Sequence, residues 1–255
     1  MSTSAYEYEL NDRVGTVTIG QDSSGLLGLT VWDSALVAAK YLERRLSALV
    51  ETGFDGRGTF PSASSSPPDA PAAASAQSAA PTPPTPDSQP QLQNSQTQVR
   101  IVELGSGTGL LGIVAARVLP TANVTLTDTE RVIPLTLQNV RINKSTATVA
   151  QLDWTLPETH SLHRHPNLIL VSDCVYDPIT FDPLINTLNS LCHDNTLILI
   201  AYERRVFDTE VIFFKKLGQH FRFRHVQPEE MDPRFRAPDE IYLFLCTRRI
   251  SESDF

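Results

Sequence analysis

The sequence predicts one doubly wound α/β domain, with a mostly parallel seven-stranded sheet, helices on both faces and a short N-terminal strand and helix extension. Three observations support this prediction. Apolar runs and helical patterns alternate from residue 99 onward. The runs IVELG, LILVS and LILIA are almost wholly apolar, as is typical of parallel strands covered by helices on both faces. Apart from one biased tract, the 255 residues suit a single core.

That biased tract runs from Pro61 to Thr97 and holds nine of the 18 prolines but only two charged residues. Because it has too little apolar surface to offset the entropy of ordering, we predict that residues 61–97 are disordered. Residues 1–53 and 99–248 then belong to one domain spanning residues 1–255, in which the tract is an insertion. We expect residues 1–53 to dock on the main sheet and contribute to its ligand site.

The N-terminal part begins with residues 6–10 and 15–20, which alternate like short strands. A helix follows, since apolar residues repeat at helical spacing from Ala35 to Leu49 until Gly53 ends the pattern. We expect Asp33 to be the N-cap of this helix.

The main sheet is expected to alternate with helices along the rest of the chain. The predicted strands are residues 99–104, 123–127, 147–152, 167–171, 196–202, 223–227 and 240–246. The predicted helices are residues 110–119, 132–143, 181–192 and 209–221.

Charge and cysteine content exclude several classes of protein. The formal net charge of −8 leaves no basic footprint for nucleic acid or an anionic membrane. Three cysteines without a CxxC pair argue against a disulfide framework or a metal site. The N-terminus has no apolar signal segment, and no apolar run approaches the roughly 18 residues of a membrane span. We therefore expect a soluble monomer of the cytoplasm or nucleus with no nucleic-acid or membrane partner.

A glycine-rich loop, ELGSGTG, runs from Glu103 to Gly109 between a predicted strand and a predicted helix. Its alternating glycines favour a nucleotide-type ligand over the alternative of an ordinary βα turn. A dinucleotide site would have its third glycine later, as GxGxxG, and Glu103 would repel a pyrophosphate. A ligand with a sulfonium and an ammonium group suits that carboxylate, which favours S-adenosylmethionine over NAD. We expect Gly105, Ser106 and Gly107 to bind this cofactor.

Acids also end the next two strands. Asp128 lies 23 residues after Gly105, where a carboxylate can accept hydrogen bonds from both ribose hydroxyls. Asp153 and Trp154 follow the third strand, where an adenine ring would lie. There Asp153 would accept from the exocyclic amine and Trp154 would pack on the ring. The alternative is that Trp154 belongs to the core.

The fourth strand is followed by SDCVY at residues 172–176. Ligands of doubly wound sheets bind beyond the carboxyl ends of the strands, so Asp173 and Tyr176 would lie beside a transferable methyl group. The alternative for Asp173 is a helix-capping role. Cys174 is better explained as a buried small hydrophobe than as a nucleophile.

A further acid, Glu203, follows the fifth strand on the same edge of the sheet. It is a candidate catalytic residue that would contact the substrate. The alternative is a surface ion pair with Arg204 or Arg205.

Several segments together resemble the seven-β-strand, class I protein-lysine methyltransferases of the methyltransferase-like 21 group. They are VWDSALVAAKYL, VELGSGTGLLGIVAA, TLTD, QNVRIN, LDW, ILVSDCVY and IAYERR. The match covers residues 30–248 apart from the tract, which departs from the family's pattern. DxxY at residues 173–176, together with VWDSA, is its most specific part. YERR at residues 202–205 resembles the YExR sequence of the subgroup that methylates the valosin-containing AAA ATPase.

The resemblance implies a Rossmann-like methyltransferase that transfers a methyl group from S-adenosylmethionine to a lysine of a non-histone protein. An AAA ATPase or chaperone is the expected partner. Asp173 and Tyr176 would line the lysine channel. The cofactor site would include Trp32, Gly105, Ser106, Gly107, Asp128, Trp154 and Ser172.

Asp173 is a poor general base for a lysine. The two ordinary pKa values differ by about 6.5 units, which opposes direct proton transfer by about 9 kcal/mol. We therefore expect Asp173 to grip and aim the lysine, Tyr176 to shape the channel, and water to take the proton. Two alternatives remain open, namely a small-molecule methyltransferase on the same fold and a non-catalytic S-adenosylmethionine-binding scaffold.

Overall fold

The computed structural model begins with a hairpin and a long helix. It describes residues 3–11, 15–22, 24, 28–51, 98–156, 165–235 and 240–249. Strands β1 (Thr3–Glu9) and β2 (Thr16–Asp22) pair antiparallel in a two-stranded sheet of their own. Helix α1 (Asp33–Glu51) follows. The predicted disordered tract at residues 61–97 lies outside the described residues.

The main sheet has seven strands. They are β3 (Arg100–Leu104), β4 (Asn123–Asp128), β5 (Thr148–Gln151), β6 (Leu168–Ser172), β7 (Leu197–Glu203), β8 (Phe221–His225) and β9 (Ile241–Arg248). The helices between them are α2 (Leu110–Val118), α3 (Ile133–Ile142), α4 (Phe181–Leu191) and α5 (Phe207–His220). The strand order is β5-β4-β3-β6-β7-β9-β8. The first five are parallel, whereas β9 runs antiparallel to both of its neighbours, which confirms the predicted fold class.

Alternate residues of the central strands supply two apolar cores, one on each face of the sheet. Ile101 and Leu170 belong to the core that also contains the buried residues of α1 and α2. Val102 and Ile169 belong to the core that contains those of α4 and α5. Successive side chains of a strand point to opposite faces, which explains why these strands are apolar throughout. No helix within the described ranges is long and apolar enough to cross a membrane.

Several predicted element boundaries are wrong. Asp33 is the first residue of α1 rather than its N-cap, and the carbonyl of Trp32 accepts the first amides of the helix. Helix α5 starts two residues earlier than expected and passes directly into β8, which begins at Phe221 rather than at residue 223. Phe221 is fully buried and pairs with Arg248 of β9, so burial on the sheet overrides the helical pattern at this residue.

Asn139 of α3 and Asn143, the C-cap of this helix, fasten the N-terminal hairpin to the main domain. The Asn143 side chain accepts from the Thr18 amide at 2.9 Å and donates to the Thr18 carbonyl at 2.7 Å. The Asn139 side chain makes the same pair of bonds with Gly20, at 2.8 and 3.0 Å. Asn139 Nδ2 also donates to the Thr108 carbonyl at 2.9 Å. Along this edge of β2, side-chain amides therefore supply the hydrogen-bond partners that a neighbouring strand would otherwise provide to the backbone.

Replacing Asn139 with alanine should destabilise the protein by about 2 kcal/mol or more, because the partly buried amide and carbonyl of Gly20 and the buried carbonyl of Thr108 would lose their partners. Urea denaturation measures this effect. The neighbouring exposed Gln138 is the control, since its replacement by alanine should change stability by no more than about 0.5 kcal/mol. Equal stability of the two variants would show that the Asn139 bridge contributes nothing.

Candidate active site

A cavity of about 630 Å³ lies beyond the carboxyl ends of β3, β4, β5 and β6. Its volume falls within the range of about 300 to 1,000 Å³ that is typical of small-molecule sites. Residues 28–35 contribute to its wall, so two parts of the chain that are distant in sequence meet there. Of the predicted site residues, the wall contains Trp32, Glu103, Gly105, Ser106, Gly107, Asp128, Asp153, Trp154, Ser172, Asp173 and Tyr176. Glu203 does not line the cavity.

The glycine loop connects β3 to α2. Neighbouring protein atoms leave no room for a Cβ at two of its positions, so these positions require glycine. Gly105 has φ of 63°, and a Cβ on it would lie 2.6 Å from Cys174 Sγ and 3.1 Å from the Trp154 ring. Gly107 has φ of 52°, and a Cβ there would lie 2.9 Å from the Gly28 carbonyl oxygen. The sequence argument assigned this space to a ligand. In the structure the N-terminal segment and Trp154 occupy it.

Glu103 lies at the base of the cavity and is almost fully buried. Its Oε2 accepts from the Gly112 amide at 2.9 Å, and a Cβ on Gly112 would lie 2.5 Å from that oxygen. None of the described residues hydrogen-bonds to Oε1. Burial raises the pKa of Glu103 to about 8, with a smaller opposing effect of the Gly112 bond. A cationic group bound beside Glu103 would favour its ionised form, as the sequence argument for a sulfonium or ammonium ligand requires.

Asp128 organises the glycine loop. Its Oδ2 accepts from the Gly107 amide at 2.8 Å, and its Oδ1 accepts from the Thr129 amide at 2.7 Å. Burial raises the pKa of Asp128, and these hydrogen bonds oppose the rise. Because a carboxylate has about four acceptor positions, Asp128 can hold the loop and still accept from a ribose hydroxyl.

Two more buried polar atoms, which belong to residues of the cavity wall, have no partner among the described residues. They are the Ser106 hydroxyl and the Trp154 indole nitrogen. Trp154 also packs against the core beneath α4 and α5, as the core interpretation predicted. Its contact with an adenine ring stays a prediction. The Asp153 carboxylate accepts from the Thr155 amide and hydroxyl in a local turn. Buried polar atoms normally have partners, so Ser106 and Trp154 point to a polar ligand.

The residues after β6 form another part of the cavity wall, next to the glycine loop. Asp173 has φ of 55°, an uncommon conformation that aspartate tolerates better than most residues, and its amide donates to the Ala201 carbonyl. Cys174 is buried, and burial raises the pKa of its thiol well above the ordinary value. It therefore stays protonated, as a small hydrophobe should. Tyr176 is about two-fifths exposed at 43%, so its ring lies between the cavity and solvent.

Sequence reasoning missed the role of Arg205 in this wall. Arg205 Nη2 lies 2.7 Å from Asp173 Oδ2 and 3.0 Å from Glu203 Oε2, and the guanidinium carbon lies 4.8 Å from the centre of the Trp32 ring. Glu203 therefore makes the ion pair that was its alternative explanation, and it reaches the cavity only through Arg205. The sequence shows an arginine two residues after Glu203, but no pattern in it predicts that this side chain pairs with Asp173.

The fold and the cavity together describe a nucleotide-type ligand site at the carboxyl edge of a doubly wound sheet. A family model described as lysine methyltransferase matches residues 12–220. Since this match covers most of the chain, the chain belongs to the lysine methyltransferase family.

Relatives of this chain include the protein N-lysine methyltransferase METTL21A of Danio rerio, 36% identical over 50% of this chain and 59% of the relative. The EEF1A lysine methyltransferase 3 of Mus musculus is 34% identical over 51% of this chain and 57% of the relative. The chain spans less than two thirds of the length of the curated relatives it matches. Among solved structures, human N-acetylserotonin methyltransferase in complex with SAM is similar with a TM-score of 0.46. It is 12% identical, over 59% of this chain and 48% of that one.

Proposed function

We propose that this chain is a protein-lysine N-methyltransferase that uses S-adenosylmethionine as methyl donor. One observation carries the proposal. The glycine loop with its buried acid lines the same cavity as Asp173 and Tyr176, in a chain that belongs to the lysine methyltransferase family. A donor bound beside the glycine loop would present its methyl group to an acceptor that enters beside Asp173 and Tyr176, the acceptor end of the cavity.

The polar groups of the cavity suit S-adenosylmethionine. Glu103 Oε1 is a buried acceptor for a cation, Asp128 keeps acceptor capacity for a ribose, and the Ser106 hydroxyl and Trp154 indole nitrogen can bond to further polar groups. When bound, S-adenosylmethionine would supply a methyl group on a sulfonium sulfur. The wall made by Trp32, Trp154 and the glycine loop would exclude water from that group.

The residues at the acceptor end would position a lysine for in-line attack. The neutral amine would take the methyl group through its lone pair, the sulfur of the departing S-adenosylhomocysteine would keep the electron pair of the broken S–C bond, and water would take the excess proton of the methylated lysine. Asp173 aims the amine and Tyr176 shapes its channel, and positioning of this kind contributes several kcal/mol.

The substrate class is proposed from the relatives and from the YExR resemblance. The elongation factor EEF1A appears in the name of one relative, and an AAA ATPase or chaperone is expected from residues 202–205. The exposed Tyr176 at the edge of the cavity suits a side chain presented on a protein surface.

Incubation with methyl-labelled S-adenosylmethionine and cell lysate tests this function, with mass spectrometry of each labelled band. Purified EEF1A and a purified AAA ATPase serve as defined acceptors, and equilibrium dialysis measures cofactor binding separately. Label on a protein lysine is the expected result. Label confined to small molecules would support the alternative of a small-molecule methyltransferase, and tight cofactor binding without any transfer would support the scaffold.

A further inference from the structure

At the acceptor end of the cavity, Asp173 is already paired with a positively charged side chain of this protein, the guanidinium of Arg205. It pairs with Asp173 at 2.7 Å, although the Asp173 side chain is only 5% exposed. The Trp32 ring covers the guanidinium on one side, and Glu203 pairs with it at 3.0 Å on the solvent side. Arg205 is therefore held by three groups that come from the start of α1, from the loop after β6 and from the end of β7.

This pairing changes what Asp173 can do to a lysine. A buried carboxylate without a counter-ion favours the ammonium form of a neighbouring amine, typically by about 1 to 3 pKa units. The ammonium form has no lone pair and cannot accept a methyl group. Arg205 is shared with Glu203, but the Glu203 side chain is 36% exposed and screened by water, so the guanidinium acts mainly on the buried Asp173. A second cation beside Asp173 would meet like-charge repulsion from the guanidinium.

We propose that Arg205 is a positioning residue that neutralises Asp173 and thereby makes the acceptor lysine bind as a neutral amine. This inference rests on the proposed lysine methyltransferase function. In this arrangement Asp173 orients the amine by a hydrogen bond without stabilising its protonated form. Glu203 pairs with Arg205 from the other side, so it affects the lysine only through the position of Arg205.

The other ionisable groups named here near Asp173 carry no positive charge, so they cannot take the place of Arg205 as its counter-ion. The groups that face it are Cys174 and Tyr176 from its own loop, Asp128 from β4, and Glu203 and Arg205 from the end of β7. Burial raises the pKa of both Cys174 and Tyr176, so both are neutral near pH 7. The second arginine of the described cavity wall, Arg131, acts electrostatically on Asp128.

The pH dependence of methyl transfer tests this inference, with the protein substrate identified by the labelling experiment. In Arg205→Met the uncompensated carboxylate should raise the pKa of the bound lysine. We expect the midpoint of the pH–rate profile to move upward by about one unit or more, with about tenfold slower transfer at pH 7 and recovery at high pH. KM should not rise, because the ammonium form then binds favourably. Arg205→Lys retains the charge and should follow the parent protein.

Arg204→Met is the matched control, because Arg204 carries the same charge one residue away and pairs with Glu240 on the surface. Its profile should equal that of the parent. A profile of Arg205→Met that superimposes on the parent would overturn the inference. So would a shift in Arg205→Lys as large as that in Arg205→Met, since geometry rather than charge would then be responsible.

A readout without turnover separates this inference from the proposed function. Carbon-detected NMR of the cofactor-free protein gives the pKa of the Asp173 carboxyl, which should rise by about one unit or more in Arg205→Met and stay constant in Arg204→Met. An unchanged Asp173 pKa in Arg205→Met would reject the charge balance. A parent protein that transfers no methyl group at any pH, yet shows the NMR shift, would reject only the proposed function.

Discussion

Replacing Asp173 with asparagine should reduce methyl transfer by about 100-fold or more while leaving S-adenosylmethionine affinity within about twofold of the parent value. Asparagine keeps the shape of the side chain and tolerates the φ of 55° at this position, whereas alanine would add backbone strain. The amide oxygen still accepts from Arg205, but it is a weaker acceptor than a carboxylate, so it orients the amine and holds the guanidinium less firmly. Transfer of labelled methyl to protein, measured beside equilibrium dialysis, separates the two effects.

Asp182→Asn provides the matched control for this variant. Asp182 pairs with Lys216 between α4 and α5 on the surface, and an exposed pair of this kind contributes little to stability. Transfer by Asp182→Asn should equal that of the parent. An Asp173→Asn protein that methylates at the parental rate would remove Asp173 from the mechanism, and one that loses cofactor binding would assign it to the donor end of the cavity instead.

Replacing Gly105 with alanine should abolish measurable cofactor binding and destabilise the fold by about 2 kcal/mol or more. The added Cβ would lie 2.6 Å from Cys174 Sγ and 3.1 Å from the Trp154 ring, and the φ of 63° is unfavourable for alanine. Overpacking and backbone strain each cost about 1 to 3 kcal/mol. Both neighbours line the cavity, so relief of the clash displaces the surface that would hold the ligand.

Gly218→Ala is the control for Gly105→Ala. Gly218 lies in α5, where a Cβ would meet Phe223 at an ordinary 3.5 Å, so this variant should be at least as stable as the parent. Thermal unfolding and dialysis with S-adenosylmethionine measure both properties. A folded Gly105→Ala protein with parental affinity would show that the contact between the loop and Trp154 is not part of the donor site.

The fold could be predicted because its signals are local. The apolar runs of β3, β6 and β7 are buried on both faces, and no other element type suits five to seven such residues flanked by helical patterns. The boundary errors are local too. Phe221 continues the apolar spacing of α5, and only its pairing with β9 assigns it to a strand.

Most of the candidate site could also be predicted, because strand ends of a parallel sheet converge on one edge. Glu103, Asp128 and Asp173 each end or follow a buried strand, and all three line the cavity. The role of Glu203 as a catalytic residue stays a prediction, and the structure places its carboxylate on Arg205 instead of in the cavity.

The sequence alone determined the strand and helix order, the glycine loop and the acids at the strand ends, since each depends on the spacing of neighbouring residues. Only the tertiary structure decided that Arg205 would pair with Asp173, 32 residues earlier in the chain, and that Asn139 would hold Gly20, 119 residues away. It also showed that Trp154 and the N-terminal segment occupy the space freed by the loop glycines. Pairings of this kind depend on which side chains meet across separate strands, and spacing along the chain does not encode that.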